Sequence, residues 1–243
     1  MVILIAFIMR LTVNAETWCM GDQFDIRDEH GARPTLVMCP ACNQPGFHDA
    51  WPWIVSSRDE HATQLLLSGN LFKYECPVCG EQTTIAYDCL YHDVGHRALI
   101  LYSTGEYPEA QCRQALDRLA DHAQWNSGTQ TPPYQRRIVF RPFQLCEKAR
   151  IWDRGYDDRV IELMKVALKR GMLREGIIGA RDSLVYERTT DDGISFVVFG
   201  EIPGDVVGKP GGYKYLESFL QGSQQPLDNE YHFDNDWANR FLP

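Results

Sequence analysis

Two Cys-Pro-x-Cys tetrads, Cys39-Pro-Ala-Cys42 and Cys76-Pro-Val-Cys79, are separated by 33 residues in a chain of 243. Thiols paired one tight turn apart can do two kinds of chemistry. They can hold a metal, each turn supplying two of four tetrahedral ligands. They can also cycle between dithiol and disulfide, when the first thiolate is activated at a helix N-terminus. A third reading leaves them as unpaired core cysteines. The redox chemistry needs one tetrad opening a long helix in a βαβ unit. Here "NQPGFHD" after Cys42 is a poor helix start, and "GEQTT" after Cys79 reads as a turn into a strand. The second tetrad would also have no use. The spacing therefore points to one structural Zn2+ per chain on Cys39, Cys42, Cys76 and Cys79, closed to water by four protein ligands. Proline stiffens each turn, and Gly80 supplies a left-handed residue where the chain leaves.

The long gap does not argue against this. Doubling a flexible loop costs about 0.6 kcal/mol of closure entropy, whereas structural zinc contributes on the order of 10–16 kcal/mol in small peptides. The elements that must position the tetrads are short strands. "TLVM" (35–38) leads into Cys39 and "NLFKYE" (70–75) into Cys76, with "TTIAYD" (83–88) and "RALILYS" (97–103) as further strands. Between the tetrads, "FHDAWPWIV" (47–55) reads as irregular. A capping box, Ser57 to Glu60, opens a helix that stops at Gly69. Downstream the pattern predicts helices over 109–124, 143–154 and 157–170, a strand over 136–141, a hairpin over 177–187 and 194–202, and a helix near 212–221. The tail from 226, with four acids against one Arg, reads as mobile.

The fold class expected is α+β: a zinc-ribbon-like β domain with a helical insertion, a helix pair and a C-terminal β-hairpin and helix extension. Residues 1–34 form a lead-in, 35–170 the knuckle domain with its helix pair, and 171–243 an extension with an acidic tail. The loop at 126–133 is a further candidate boundary. Residues 1–19 allow three readings: an artefact of gene calling with translation starting at Met20, a buried strand, or a signal peptide. Against the last, no Lys or Arg precedes the apolar run and Arg10 interrupts it.

Composition limits the partners. A net charge of −9 disfavours broad binding to nucleic acid. The eight cysteines, four of them in close pairs, do not form the dense framework of a small secreted disulfide protein and suit a reducing, cytoplasmic setting. No stretch is long enough to span a membrane.

Other residue groups have plainer readings. "HDVGH" (92–96) is near the HExxH zinc-protease pattern, but it sits between strand-like segments with Gly95 inside it. A turn around Tyr91, His92 and Asp93 fits better. Asp157 and Asp158 stand where a helix start favours acids. Trp51 and Trp53, with His48, are either partner anchors or the small core of the insertion. Arg136 and Arg137, beside Arg141, could hold phosphate or guard a strand edge. Cys89, Cys112 and Cys146 read as small apolar core residues.

The run "MCPAC", the stretch "LLLSGNLFKYECPVCG", the "LYHD" after it and "EKARIWDRGYDDRVIELMK" (147–165) together resemble the CpXC domain family, a bacterial group named for two Cys-Pro-x-Cys motifs. The resemblance covers roughly residues 35–170. It implies metal-binding cysteines on a ribbon-like fold, and no activity. Where the family often has a small residue after the first tetrad this chain has Asn43, which tolerates the same left-handed backbone. The sequence lacks a nucleophile elbow, a phosphate loop and a complete triad pattern, so an enzyme is disfavoured. The expected role is a zinc-stabilised binding or regulatory module whose partner is another protein. The alternatives are a nucleic-acid-associated ribbon and a CxxC thiol-redox enzyme.

Overall fold

The computed structural model describes residues 9–10, 31–127, 131–200, 203–223 and 230–242. Its first element is a two-residue strand, β1 (Met9–Arg10). The rest of the 1–19 segment lies outside the described residues. Two units divide the chain, residues 1–146 and 147–243.

In the first unit, β2 (Arg33–Met38) and β3 (Pro45–Ala50) form an antiparallel pair in which Leu36 faces Phe47. The aromatic stretch expected to be irregular is thus strand, and it continues after Trp51-Pro52 into β4 (Trp53–Val55). Helix α1 (Glu60–Leu67) follows, with Gly69 left-handed at φ 74° behind it. The expected capping box does not form. Asp59 occupies the cap position and its carboxylate accepts from the Val55 amide at 2.8 Å.

Strands β5 (Lys73–Glu75) and β6 (Gln82–Ala86) make a second antiparallel pair, and β1 joins β6 in parallel. Next come β7 (Cys89–Asp93) and β8 (Ala98–Tyr102), then α2 (Glu109–Ser127) and β9 (Gln135–Val139). Residues 91–93, expected as a turn, belong to β7. The turn itself occupies 94–97. The sheet order is β4-β7-β8-β9, with β7–β8 antiparallel and the outer pairings parallel. Every residue of β8 is buried, as expected of a strand covered on both faces. Helix α2 carries the chain between the parallel neighbours β8 and β9 and turns Cys112, Leu116 and Ala120 inward.

Helix α3 (Pro142–Asp153) carries the division between the units, between Cys146 and Glu147. The sequence had suggested edges at 126–133 and 170. In the second unit, α4 (Asp158–Arg174) packs against β10 (Ser183–Thr190), α5 (Pro210–Gly222) and α6 (Asn235–Phe241). Strands β10, β11 (Gly193–Phe199) and β12 (Gly204–Gly208) form an antiparallel sheet, one strand more than the expected hairpin. Residues 230–242 of the tail are packed into the unit. Asp234 caps α6 by accepting from the Trp237 amide, and Tyr231, Phe233, Trp237 and Phe241 are buried.

The core of this unit also holds five charged side chains, none more than 4 % exposed: Glu147 and Lys148 from α3, Asp158, Glu162 and Lys165 from α4. Lys148 Nζ meets Asp158 at 2.9 Å and donates to the Phe233 carbonyl at 2.6 Å. Lys165 Nζ lies 2.7 Å from Glu147 and 2.9 Å from Glu162. The Tyr186 amide donates to Glu147 at 2.5 Å. The described architecture is mixed α+β, with six helices among several small sheets.

Candidate metal centre

Each tetrad forms the turn of one antiparallel strand pair, and the two turns have the same backbone. In the first, the Cys39 amide donates to Gln44 O and the Asn43 amide to Cys39 O, both at 2.9 Å. In the second, the Cys76 amide donates to Glu81 O at 2.8 Å and the Gly80 amide to Cys76 O at 2.9 Å. The residue after the second cysteine is left-handed in both, Asn43 at φ 55° and Gly80 at φ 73°. Glycine carries no steric penalty there, and asparagine is among the few residues that accept it.

The turns bring their sulfurs together. Cys39 Sγ lies 3.6 Å from Cys79 Sγ, and Cys42 Sγ 3.6 Å from Cys76 Sγ. All four sulfurs fall within 4.8 Å of one another. Four thiolates around zinc at about 2.3 Å would stand about 3.8 Å apart, so the spacing is right for a metal ion. Cys39 and Cys76 are buried, Cys42 half-buried and Cys79 exposed.

The backbone prepares these sulfurs for negative charge. The amides of Cys79 and Val78 donate to the Cys76 sulfur and pull its pKa down to about 6. The Glu81 amide acts the same way on Cys79. There the neighbouring Cys42, burial and the other two thiols outweigh it, and the pKa is pushed up to about 12. Cys42 is raised for similar reasons, against the pull of the Gln44 amide. One thiol is ready to ionise, and its neighbours resist adding further negative charge beside it.

A buried hydroxyl tests the fit independently. Tyr74 is 4 % exposed, and its phenol oxygen has no hydrogen-bond partner of standard geometry among the described residues. An orphaned buried donor costs about 1–3 kcal/mol. Burial raises its pKa, and charge on Cys76 and Cys39 raises it further. Thiolates made acceptors by a bound metal would satisfy it. An all-sulfur donor set suits zinc or another thiophilic ion.

The other candidate residues lie elsewhere. Trp53 is buried in β4, and Trp51 is half-buried with its backbone amide on the Tyr87 hydroxyl at 3.3 Å. Arg136 pairs with Asp117 at 2.6 Å. Arg137 is buried, donating to Gln135 and to the Arg136 carbonyl. Neither the tryptophans nor this arginine pair forms an open face. In the HDVGH stretch, His92 Nε2 pairs with the Tyr134 hydroxyl at 3.1 Å and His96 Nδ1 with Asp93 at 2.9 Å, so the two imidazoles share no metal position. Asp157 caps α4 through the Arg159 amide, as helix starts favour. Asp158 does not: it is fully buried against Lys148. Cys89, Cys112 and Cys146 are buried. Among the described residues, no helix is long and apolar enough to cross a membrane.

Four convergent thiols on twin hairpin turns define a cysteine-knuckle protein with a centre close enough to hold a metal ion. The model of the CpXC protein family matches residues 37–165, just over half of the chain, and the chain belongs to that family. That span takes in both tetrads and ends at Lys165 of the buried charge cluster. Neither a curated protein nor a solved structure matches the chain.

Proposed function

We propose that Cys39, Cys42, Cys76 and Cys79 hold one structural Zn2+ in a ribbon-like arrangement, and that the protein is a zinc-stabilised binding module of the cytoplasm. The observation that carries this reading is the meeting of four sulfurs within 4.8 Å on two turns of identical backbone. The metal neutralises thiolate charge and clips the two hairpins, with all four positions taken by protein ligands and none left for a reacting water.

Thiol-redox catalysis is the weaker reading because neither tetrad opens a helix. Strands follow both. A nucleic-acid role is disfavoured by the net charge of −9 and by the engagement of Arg136 and Arg137 within the fold. A protein partner accords better with the surface near the first knuckle, where the facing pair Leu36 and Phe47 is 54 % and 72 % exposed.

Two measurements on the full chain test the proposal. Chelation lowers the thermal stability of the 31–146 region and added Zn2+ restores it; melting indifferent to chelator would overturn the structural role. Retention on heparin is weak at every salt concentration. Strong retention that falls steeply with salt would favour nucleic acid instead.

A further inference from the structure

We infer that Tyr74 is the outer hydrogen-bond donor of the cysteine centre, its phenol held on the sulfurs by a backbone opening at Gly46. This rests on the reading that the four cysteines hold zinc, and it adds a residue that no spacing pattern marks.

Tyr74 of β5 stands two residues before Cys76, which directly follows the strand, so the strand alternation turns both side chains to the same side. From there the phenol reaches the other hairpin. A Cβ built on Gly46 of β3 would lie 1.9 Å from the Tyr74 hydroxyl oxygen and 3.0 Å from the ring carbon that bears it. Any side chain at 46 would expel the hydroxyl. The first hairpin therefore supplies the gap and the second the donor, and charge on Cys76, Cys39 and Cys42 is felt at the phenol.

The Tyr74 hydroxyl has no well-formed partner among the described residues, and a neutral thiol would be a weak acceptor for it. A thiolate bound to a cation is a far better one. Four thiolates on one Zn2+ leave two surplus negative charges, and an O–H donor facing them draws off part of that charge. Outer partners of this kind hold metal ligands in place, and their loss typically lowers affinity 10- to 100-fold. Tyr74 is thus a positioning residue for the metal, and its donor makes the Cys76 thiolate less nucleophilic.

The test is Tyr74→Phe in the full chain, which removes the hydroxyl and keeps the buried ring. Zn2+ affinity is read by competition with a chromophoric chelator, the alkylation rate of Cys76 by mass spectrometry on zinc-loaded protein, and the sulfur-to-metal band on Co2+-loaded protein. The expected result is a 10- to 100-fold loss of affinity, faster alkylation of Cys76 and a shifted band, with circular dichroism unchanged. Gly46→Ala should give the same losses, and adding Tyr74→Phe to it should change little more. If wild type binds one Zn2+ and Tyr74→Phe matches it in affinity, alkylation and band position, the role of Tyr74 is overturned while the zinc reading stands. If wild type itself binds no Zn2+, the zinc reading fails and takes this inference with it.

Discussion

Residues 39–79 gather four thiols at two hairpin tips, one of them open to solvent, whereas residues 147–165 gather five charged groups inside a helical core. Both are clusters of ionisable side chains. In the first every group ionises to the same sign, so charging several of them together calls for a cation among them. In the second, three carboxylates face two ammonium groups, and the Tyr186 amide and Phe233 carbonyl take up further hydrogen bonds. On the reading proposed above a metal ion completes the first cluster, whereas the chain itself completes the second, with residues beyond the family match. A ligand-completed centre should respond to chelators, and a chain-completed one to truncation and to single charge deletions.

The largest effect should come from Cys76→Ser. Three thiolates hold zinc too weakly to clip the hairpins, and structural zinc is worth on the order of 10 kcal/mol or more in small peptides. Amide exchange at Val37 and Ile85 should become fast, and zinc should be lost. Retained protection would sever the link between metal and fold.

Next is Lys165→Met, which leaves Glu147 and Glu162 buried with one ammonium fewer. Breaking such a set by removing one partner costs about 3–5 kcal/mol. Urea unfolding followed by tryptophan fluorescence and circular dichroism should show it, and a midpoint equal to wild type would mean the cluster adds nothing.

A pH series sharpens the contrast further. Burial raises the pKa of Glu162 above the ordinary glutamate value, with Lys165 and Lys148 opposing the shift. A carboxyl with a raised folded pKa favours the folded state most at acid pH. That contribution fades as pH rises from about 4.3, the ordinary glutamate value, through the raised one. The urea midpoint of wild type relative to Glu162→Gln should therefore fall with rising pH across that window. A difference independent of pH would show that Glu162 does not titrate in this way.

Smallest is Asp157→Ala, which removes a helix cap and should cost about 1 kcal/mol. The same change at Asp158 strips a partner from buried Lys148 and should cost clearly more, although the two residues are adjacent and chemically alike.

The same contrast explains what could be read in the sequence. The cysteine centre was legible because its chemistry is local. Two cysteines, a proline and a left-handed Asn43 or Gly80 specify each turn without reference to the rest of the chain. Tyr74 was not legible, since its role depends on a gap at Gly46 in the other hairpin. The buried charges looked like ordinary helix charge, and Asp158 in particular looked like a second cap. The pattern explains why: Asp158, Glu162, Lys165 and Lys169 share one stripe of α4, which reads as an ordinary solvated face, and only the tertiary packing buries the first three.

The tail misled in a similar way. Its acids suggested mobility, while Trp237 and Phe241, four apart, carried the helical period that forms α6. The mixed α+β class was within reach of local patterns. Strand β7 was not, because Cys89–Asp93 ends in His and Asp and becomes strand through pairing with β4 and β8.

The most direct measurement is zinc per chain by elemental analysis of untagged protein purified under reducing conditions, with reactive thiols counted before and after chelation. The account predicts one zinc per chain and four thiols released only by chelator. Metal-free protein with a reversible disulfide within 39–42 or 76–79 would contradict it.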